Sequence, residues 1–117
     1  MKGSVRMYED VVFADENGEL TARLSCELDH HTARRIRERI DERIFEMRPR
    51  RLILDFSSVG FMDSSGIGLI LGRVECMKEV EGDVMLVGAS PSQMKIFRLS
   101  GIDRVQGLTI SKKGEKK

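Results

Sequence analysis

A short apolar segment near the middle of the chain constrains the fold more than any other feature. In residues 51–56 (RLILDF), Asp55 is the one interruption of an apolar run that follows Arg51. Such continuity is typical of a central parallel strand that is covered on both faces. Parallel strands need helical connections, so an α/β architecture is expected.

Strand and helix signals alternate along the rest of the chain. Strands are predicted at residues 8–14, 19–26, 51–56, 84–87 and 105–110, and helices at 30–47, 64–80 and 91–100. Asn17 and Gly18 form a strong hairpin signal between the first two strands. The order ββαβαβαβ therefore predicts a single α/β domain over residues 1–110, with a mixed, mostly parallel sheet and an N-terminal β-hairpin. Residues 111–117 (SKKGEKK) contain no apolar side chain and are predicted to be a disordered basic tail.

The first predicted helix carries signals at its start and along its surface. Asp29 is a candidate N-cap. The helix has a periodic apolar face made of Ala33, Ile36, Ile40, Ile44 and Met47. Arg34 and Glu38, like Arg37 and Asp41, are four residues apart and are predicted to form exposed ion pairs. The arginine-rich surface of this helix is therefore interpreted as a solvated face.

Composition and charge exclude several classes of function. The net charge is +1, from 20 basic and 19 acidic residues, which argues against binding to a nucleic acid. No apolar run approaches the roughly 20 residues of a membrane helix, and the N-terminus shows no secretory signal. Cys26 and Cys76 lie in apolar patterns and are interpreted as reduced thiols. A cytoplasmic protein that binds neither membrane nor nucleic acid is expected.

Residues 63–66 (DSSG) follow the central strand and begin a glycine-rich helix. Open α/β sheets build their sites at the carboxyl ends of strands, and a helix N-terminus there suits a phosphate group. A purely structural role, in which Asp63 or Ser64 caps the helix, fits the spacing equally well. Because no obvious catalytic base accompanies the serine, it is interpreted as a residue that is modified.

Enzyme and metal motifs fit poorly. A nucleophile elbow needs glycine two residues on either side of the serine, but Met62 precedes Ser64 and Ile67 follows Ser65 at that distance. The P-loop triplet is absent, and the glycine spacing misses the dinucleotide fingerprint by one residue. Neighbouring His30 and His31 lack a cluster of further ligands, so no metal site is predicted.

Several segments together resemble the STAS domain of bacterial anti-sigma factor antagonists. They are residues 28–33 (LDHHTA), 61–73 (FMDSSGIGLILGR), 90–91 (SP) and 97–101 (FRLSG). The resemblance extends over about residues 8–110, and the DHHT helix start is similar to the sporulation branch, which antagonises the anti-sigma-F factor. It implies a regulatory protein without a cofactor, rather than an enzyme.

The resemblance also implies a switch. Ser64, the first serine after the motif aspartate, corresponds to the phosphoacceptor of the family. The implied partners are an anti-sigma factor with serine kinase activity and a serine phosphatase that acts on the phosphorylated residue. The unphosphorylated antagonist binds the kinase and frees the sigma factor. The residues expected to border the contact surface are Asp29, His30, Asp63, Ser65, Gly66 and Gly68.

Two alternatives use the same loop differently. One is a regulatory module of this fold that binds a nucleotide or a small anion at the start of the second helix. The other is a hydrolase in which His30 or His31 activates Ser64, which requires the imidazole to reach the hydroxyl and a carboxylate to orient it.

Overall fold

The computed structural model describes residues 3–111, whose strands form one six-stranded sheet. The elements are β1 Ser4–Met7, β2 Val11–Glu16, β3 Glu19–Leu24, α1 His30–Met47, β4 Arg51–Asp55, α2 Ser64–Glu79, β5 Asp83–Val87, α3 Pro91–Ser100 and β6 Leu108–Ile110, with a 3-10 turn at Ile102–Arg104. Strands lie in chain order, antiparallel from β1 to β3 and parallel from β3 to β6. The predicted α/β class and mostly parallel sheet are confirmed. Of the tail predicted at 111–117, residues 112–117 lie outside the described residues, so that prediction is not tested.

The N-terminal part of the sheet contains one strand more than predicted. Asn17 and Gly18 join β2 to β3 with φ values of 55° and 82°, as a two-residue hairpin turn requires. β1 pairs antiparallel with β2, and every β1 residue is exposed. An exposed strand has no alternating burial, which is why the apolar pattern gave no signal for it.

The helices cover one face of the sheet. Because β3 to β6 follow each other in order, right-handed connections place α1, α2 and α3 on the same side. Leu52 and Leu54 of β4 are buried on that side, whereas Arg51, Ile53 and Asp55 are half-buried. The central, parallel position predicted for β4 is therefore confirmed. The predicted cover on both faces is wrong for the described residues, because a sequential strand order leaves the second face open.

The core lies between the sheet and the three helices. Ile36, Ile40 and Ile44 of α1 are fully buried, in agreement with the predicted apolar face. Phe56, just after β4, meets Phe97 of α3 edge to face with ring centroids 5.6 Å apart. This contact fixes α3 near the carboxyl end of β4, the edge of the sheet where the helices α1 and α2 also begin.

Arginines on the sheet-facing flank of α1 are paired with carboxylates. Arg35 and Arg39 reach buried Asp10 at 2.7 and 3.4 Å. Arg43, itself buried, pairs with Asp15 at 2.8 Å. These ion pairs link α1 to β2 and to the bend that precedes it, so part of the arginine-rich surface is structural and not merely solvated.

The ion pairs predicted within α1 do not form. Neither Arg34 and Glu38 nor Arg37 and Asp41 come within 4.0 Å of each other among the described residues. Asp41 instead pairs with Arg73 of α2 at 3.0 Å. Arg73 is buried between the helices and needs that carboxylate more than an exposed arginine does.

Cys26 and Cys76 are free and half-buried, and burial raises the pKa of both thiols. Free thiols agree with the interpretation made from the sequence.

Within residues 3–111, no helix combines the length and the apolar character that crossing a bilayer requires.

Candidate functional site

Two loops at the carboxyl edge of the sheet are joined by backbone hydrogen bonds. Leu28 N donates to Phe61 O at 2.8 Å, and Asp63 N donates to Leu28 O at 3.1 Å. Leu28 and Met62 form an isolated parallel bridge, and both side chains are buried. The bridge places the first residues of α1 and α2 side by side.

The start of α1 is closed by a reciprocal cap. The Asp29 carboxylate accepts from Thr32 N, and Thr32 Oγ1 accepts from Asp29 N, both at 3.0 Å. The hydrogen bond from Thr32 N is the main cause that lowers the pKa of the Asp29 carboxyl. The predicted N-cap role of Asp29 is confirmed, and the carboxylate is charged at neutral pH.

The start of α2 is capped by one side chain, and the N–H of its cap residue is bonded to Leu28 O instead of to a side chain. The Asp63 carboxylate accepts from Ser65 N at 2.8 Å, so the capping role belongs to Asp63. Ser64 is the first helical residue and is exposed. Its hydroxyl makes no hydrogen bond to any described residue. The capping role that the sequence left open between Asp63 and Ser64 therefore belongs to Asp63, and the Ser64 side chain takes no part in it.

The glycines of α2 meet different surroundings. A Cβ on buried Gly66 would lie 2.5 Å from Met62 Cγ, so the absence of a side chain lets Met62 pack against the helix backbone. Gly68 is exposed, and a Cβ there would meet nothing within 4 Å. At Gly66 the lack of a side chain thus serves the packing of the core. At Gly68, packing within the described residues supplies no reason for a glycine.

A groove of about 530 Å³ runs between the first turns of α1 and α2. It is lined by His30, Ala33, Arg34 and Arg37 from α1 and by Ser65, Gly68 and Leu69 from α2. The structure thus brings His30, Ser65 and Gly68 to one groove, while Asp29 and Asp63 lie at the helix starts beside it. Arg34 and Arg37 were not predicted as site residues, and the arginine richness of the helix was the one signal that pointed to them.

The site exposes a hydroxyl without activating it. The rings of His30 and His31 pack edge to face with centroids 5.8 Å apart. Neither imidazole forms a hydrogen bond with Ser64 in the described part of the chain. Over residues 3–111, no three His, Cys, Asp or Glu side chains come together as a metal site would need. This geometry gives the hydrolase alternative no support, since a serine nucleophile needs a base within reach.

Comparison with known proteins identifies the family. Residues 10–115 match the model of the STAS domain. The anti-sigma F factor antagonist of Lysinibacillus sphaericus is 38% identical over 99 residues, which cover 74% of this chain and 85% of that protein.

Two solved structures of the anti-sigma factor antagonist SpoIIAA share the fold at 32% identity. The unphosphorylated form gives a TM-score of 0.69 and covers 95% of this chain and 89% of its own. The phosphorylated form, described as a Bacillus cell fate determinant, gives a TM-score of 0.64 with coverages of 95% and 92%. This chain therefore belongs to the STAS domain family and, within it, to the anti-sigma factor antagonists.

Proposed function

We propose that this protein is switched by phosphorylation of Ser64. In its unphosphorylated form it binds an anti-sigma factor that is also a serine kinase, and this binding releases the sigma factor. The observation that carries the proposal is the exposed Ser64 hydroxyl, which forms no hydrogen bond with the described chain and stands at the first position of α2. The existence of SpoIIAA structures in unphosphorylated and phosphorylated form supports it.

The proposed modification leaves the fold intact. A phosphate adds about −1.5 to −2 charges at neutral pH. At the first residue of a helix this charge faces the positive end of the helix dipole and free backbone N–H groups, so α2 tolerates it. Ser64 is not part of the core, and its exposed position leaves room for the added group.

The phosphate weakens binding by acting directly at the contact with the partner. A surface that fits a small neutral hydroxyl beside Asp63 meets a bulky dianion after phosphorylation, and that dianion must lose water on binding. A tenfold loss of affinity needs only about 1.4 kcal/mol, so charge and steric exclusion are sufficient without a change of conformation. A serine phosphatase that removes the phosphate restores the binding form.

The contact surface is proposed to surround Ser64. Its residues lie at the two helix starts or in the groove between them, and they are Asp29, His30, Asp63, Ser65, Gly66 and Gly68. Exposed Gly68 fits this role best, since open space above a glycine lets another molecule approach the helix backbone closely.

The decisive experiment incubates the protein with ATP and the purified anti-sigma kinase of the same organism, followed by peptide mapping of the phosphate. Phosphate on Ser64 in the wild type, its absence in Ser64→Ala, and its retention in the matched Ser65→Ala control are expected. Ser64→Ala should also keep its affinity for the kinase in titration calorimetry. Phosphorylation of Ser64→Ala at the wild-type rate contradicts the proposal.

A further inference from the structure

Two arginines in the groove between α1 and α2 are not used by the fold. Arg34 and Arg37 are exposed, lie three residues apart on one face of α1, and line the groove with Ser65 and Gly68 of α2. Neither has an ion pair or a hydrogen bond within residues 3–111. Their neighbours Arg35 and Arg39, which point to the strands, are both held by Asp10, described above.

Arginines and carboxylates are distributed unevenly along the groove. A second cavity, of about 590 Å³, shares Arg37 with the first and continues along the helices past Glu38 and Glu42. Asp41 also lines it, and Asp41 is already paired with buried Arg73. Arg34 and Arg37 line the part beside Ser65 and Gly68, whereas carboxylates accompany Arg37 and Arg73 in the second cavity. The groove therefore has a direction that a bound segment must match.

We propose that Arg34 and Arg37 bind carboxylates of an acidic segment on the anti-sigma factor that docks over Ser64. The inference rests on the function proposed above and adds the chemistry of the partner surface. Guanidinium groups match carboxylates in charge and in hydrogen-bond geometry, and arginine is enriched at protein interfaces. An acidic segment is the occupant that charge complementarity selects.

A protein surface suits this groove better than a small molecule does. Pockets for small ligands enclose most of the ligand among apolar walls with a few fixed polar groups. Here Ala33 and Leu69 supply a small apolar floor, and both arginines stand exposed at the rim. Neither arginine is held in place by a neighbour, so the side chains are free to adapt to an incoming surface.

Rim charges of this kind act mainly on the rate of association. Long-range attraction steers the encounter and weakens with salt, because the Debye length falls from about 30 Å at 0.01 M to about 8 Å at 0.15 M. Removing the two charges should therefore slow association at low salt more than it speeds dissociation.

The test uses a groove variant that carries both Arg34→Gln and Arg37→Gln. Stopped flow measures its rate of association with the purified anti-sigma kinase at 0.01 and 0.15 M salt, beside that of the wild type. The matched control is Lys95→Gln with Arg98→Gln on α3, which removes the same charge at the same three-residue spacing from exposed positions. The groove variant should associate about tenfold more slowly at low salt and lose most of its salt dependence. Melting curves establish that both variants are folded.

Four outcomes overturn the inference. In the first, the groove variant associates as fast as the wild type. In the second, the control variant associates as slowly as the groove variant, which shows an effect of net charge alone. ATP titrated without the kinase binds saturably to the wild type and not to the groove variant, which assigns the groove to a nucleotide. If the wild type does not bind the kinase at all, the proposed function falls as well. If the groove variant alone associates slowly while phosphate still maps to Ser64, both proposals are supported.

Discussion

The two helix starts that meet at the Leu28–Met62 bridge are built differently. At α1, Asp29 and Thr32 cap each other, and both backbone donors are satisfied. At α2, Asp63 accepts from Ser65 N, but the position that corresponds to Thr32 is Gly66, which has no side chain to return the hydrogen bond. The cap of α1 is therefore local and reciprocal, whereas at α2 the N–H of Asp63 donates to Leu28 O of the neighbouring loop at 3.1 Å, beside an exposed serine.

The two helices also differ in intrinsic stability, which is lower for α2. Glycine in a helix interior costs about 1 kcal/mol relative to alanine, and α2 contains Gly66, Gly68 and Gly72 while α1 contains none. Gly66 recovers part of this cost by letting Met62 pack closely. Gly68 recovers nothing from the described chain, which fits a helix start shaped for another molecule.

The largest expected effect on affinity comes from adding a negative charge at each of the two helix starts in turn. Ser64→Asp adds a carboxylate at the first position of α2, and His31→Asp adds one in the first turn of α1. Both helices tolerate the charge because it faces the positive end of the dipole. Ser64→Asp should weaken binding to the kinase by a factor of ten or more, which is about 1.4 kcal/mol or above. His31→Asp should change it less than about twofold, on the order of 0.4 kcal/mol.

Titration calorimetry of both variants measures the two affinities, and melting curves report the fold. Equal losses of affinity in the two variants would show that the helix starts are equivalent to the partner. The comparison between them would then have no functional meaning.

A second prediction concerns the missing side chain at Gly66. Gly66→Thr supplies the residue that α1 has at Thr32, but its Cβ would lie 2.5 Å from Met62 Cγ. Crowding of this kind costs about 1–3 kcal/mol, so the cap is not gained and the free energy of unfolding falls. The loss should be smaller when Gly66→Thr is made in a Met62→Ala background, because the two sites are in contact.

Urea unfolding of the single and double variants forms the double-mutant cycle. Additive changes would mean that Met62 does not limit the space above Gly66. In that case the absence of a reciprocal side-chain cap at α2 would have another cause.

A third prediction sets stability against binding. Gly68→Ala should raise the free energy of unfolding by up to about 1 kcal/mol, since its Cβ meets nothing within 4 Å and alanine favours the helix. The same methyl group should lower the affinity for the kinase about three- to tenfold, or about 0.7–1.4 kcal/mol. Gly72→Ala is the matched control, because its Cβ also meets open space one turn farther along α2.

Gly72→Ala should gain the stability and keep the affinity. Thermal melts and calorimetry on both variants provide the readout. An unchanged affinity in Gly68→Ala removes that residue from the contact surface.

The sequence predicted these regions unequally, for physical reasons. The bounds of α1 agree with its prediction because the Asp29 cap and the apolar period both act locally. β1 gave no signal because it is held by backbone pairing to β2 and buries no side chain. The groove beside Ser64 depends on how α1 packs against α2, so Arg34 and Arg37 could not be assigned to it from their spacing.

The smallest expected effect probes the closed start of α1 by pH. The hydrogen bond from Thr32 N lowers the pKa of Asp29 below its ordinary value of 3.8. The stability from this cap is therefore fully present above 3.8 and is lost as the pH falls through the lower pKa of the folded state. Asparagine accepts the same hydrogen bond without titrating, so Asp29→Asn should gain in melting temperature relative to the wild type as the pH falls below about 4. Other carboxyl groups titrate in both proteins and cancel in the difference. Melting curves from pH 5.5 to 2.5 measure it, and a constant difference across that range would show that the ionised carboxylate does not stabilise the cap.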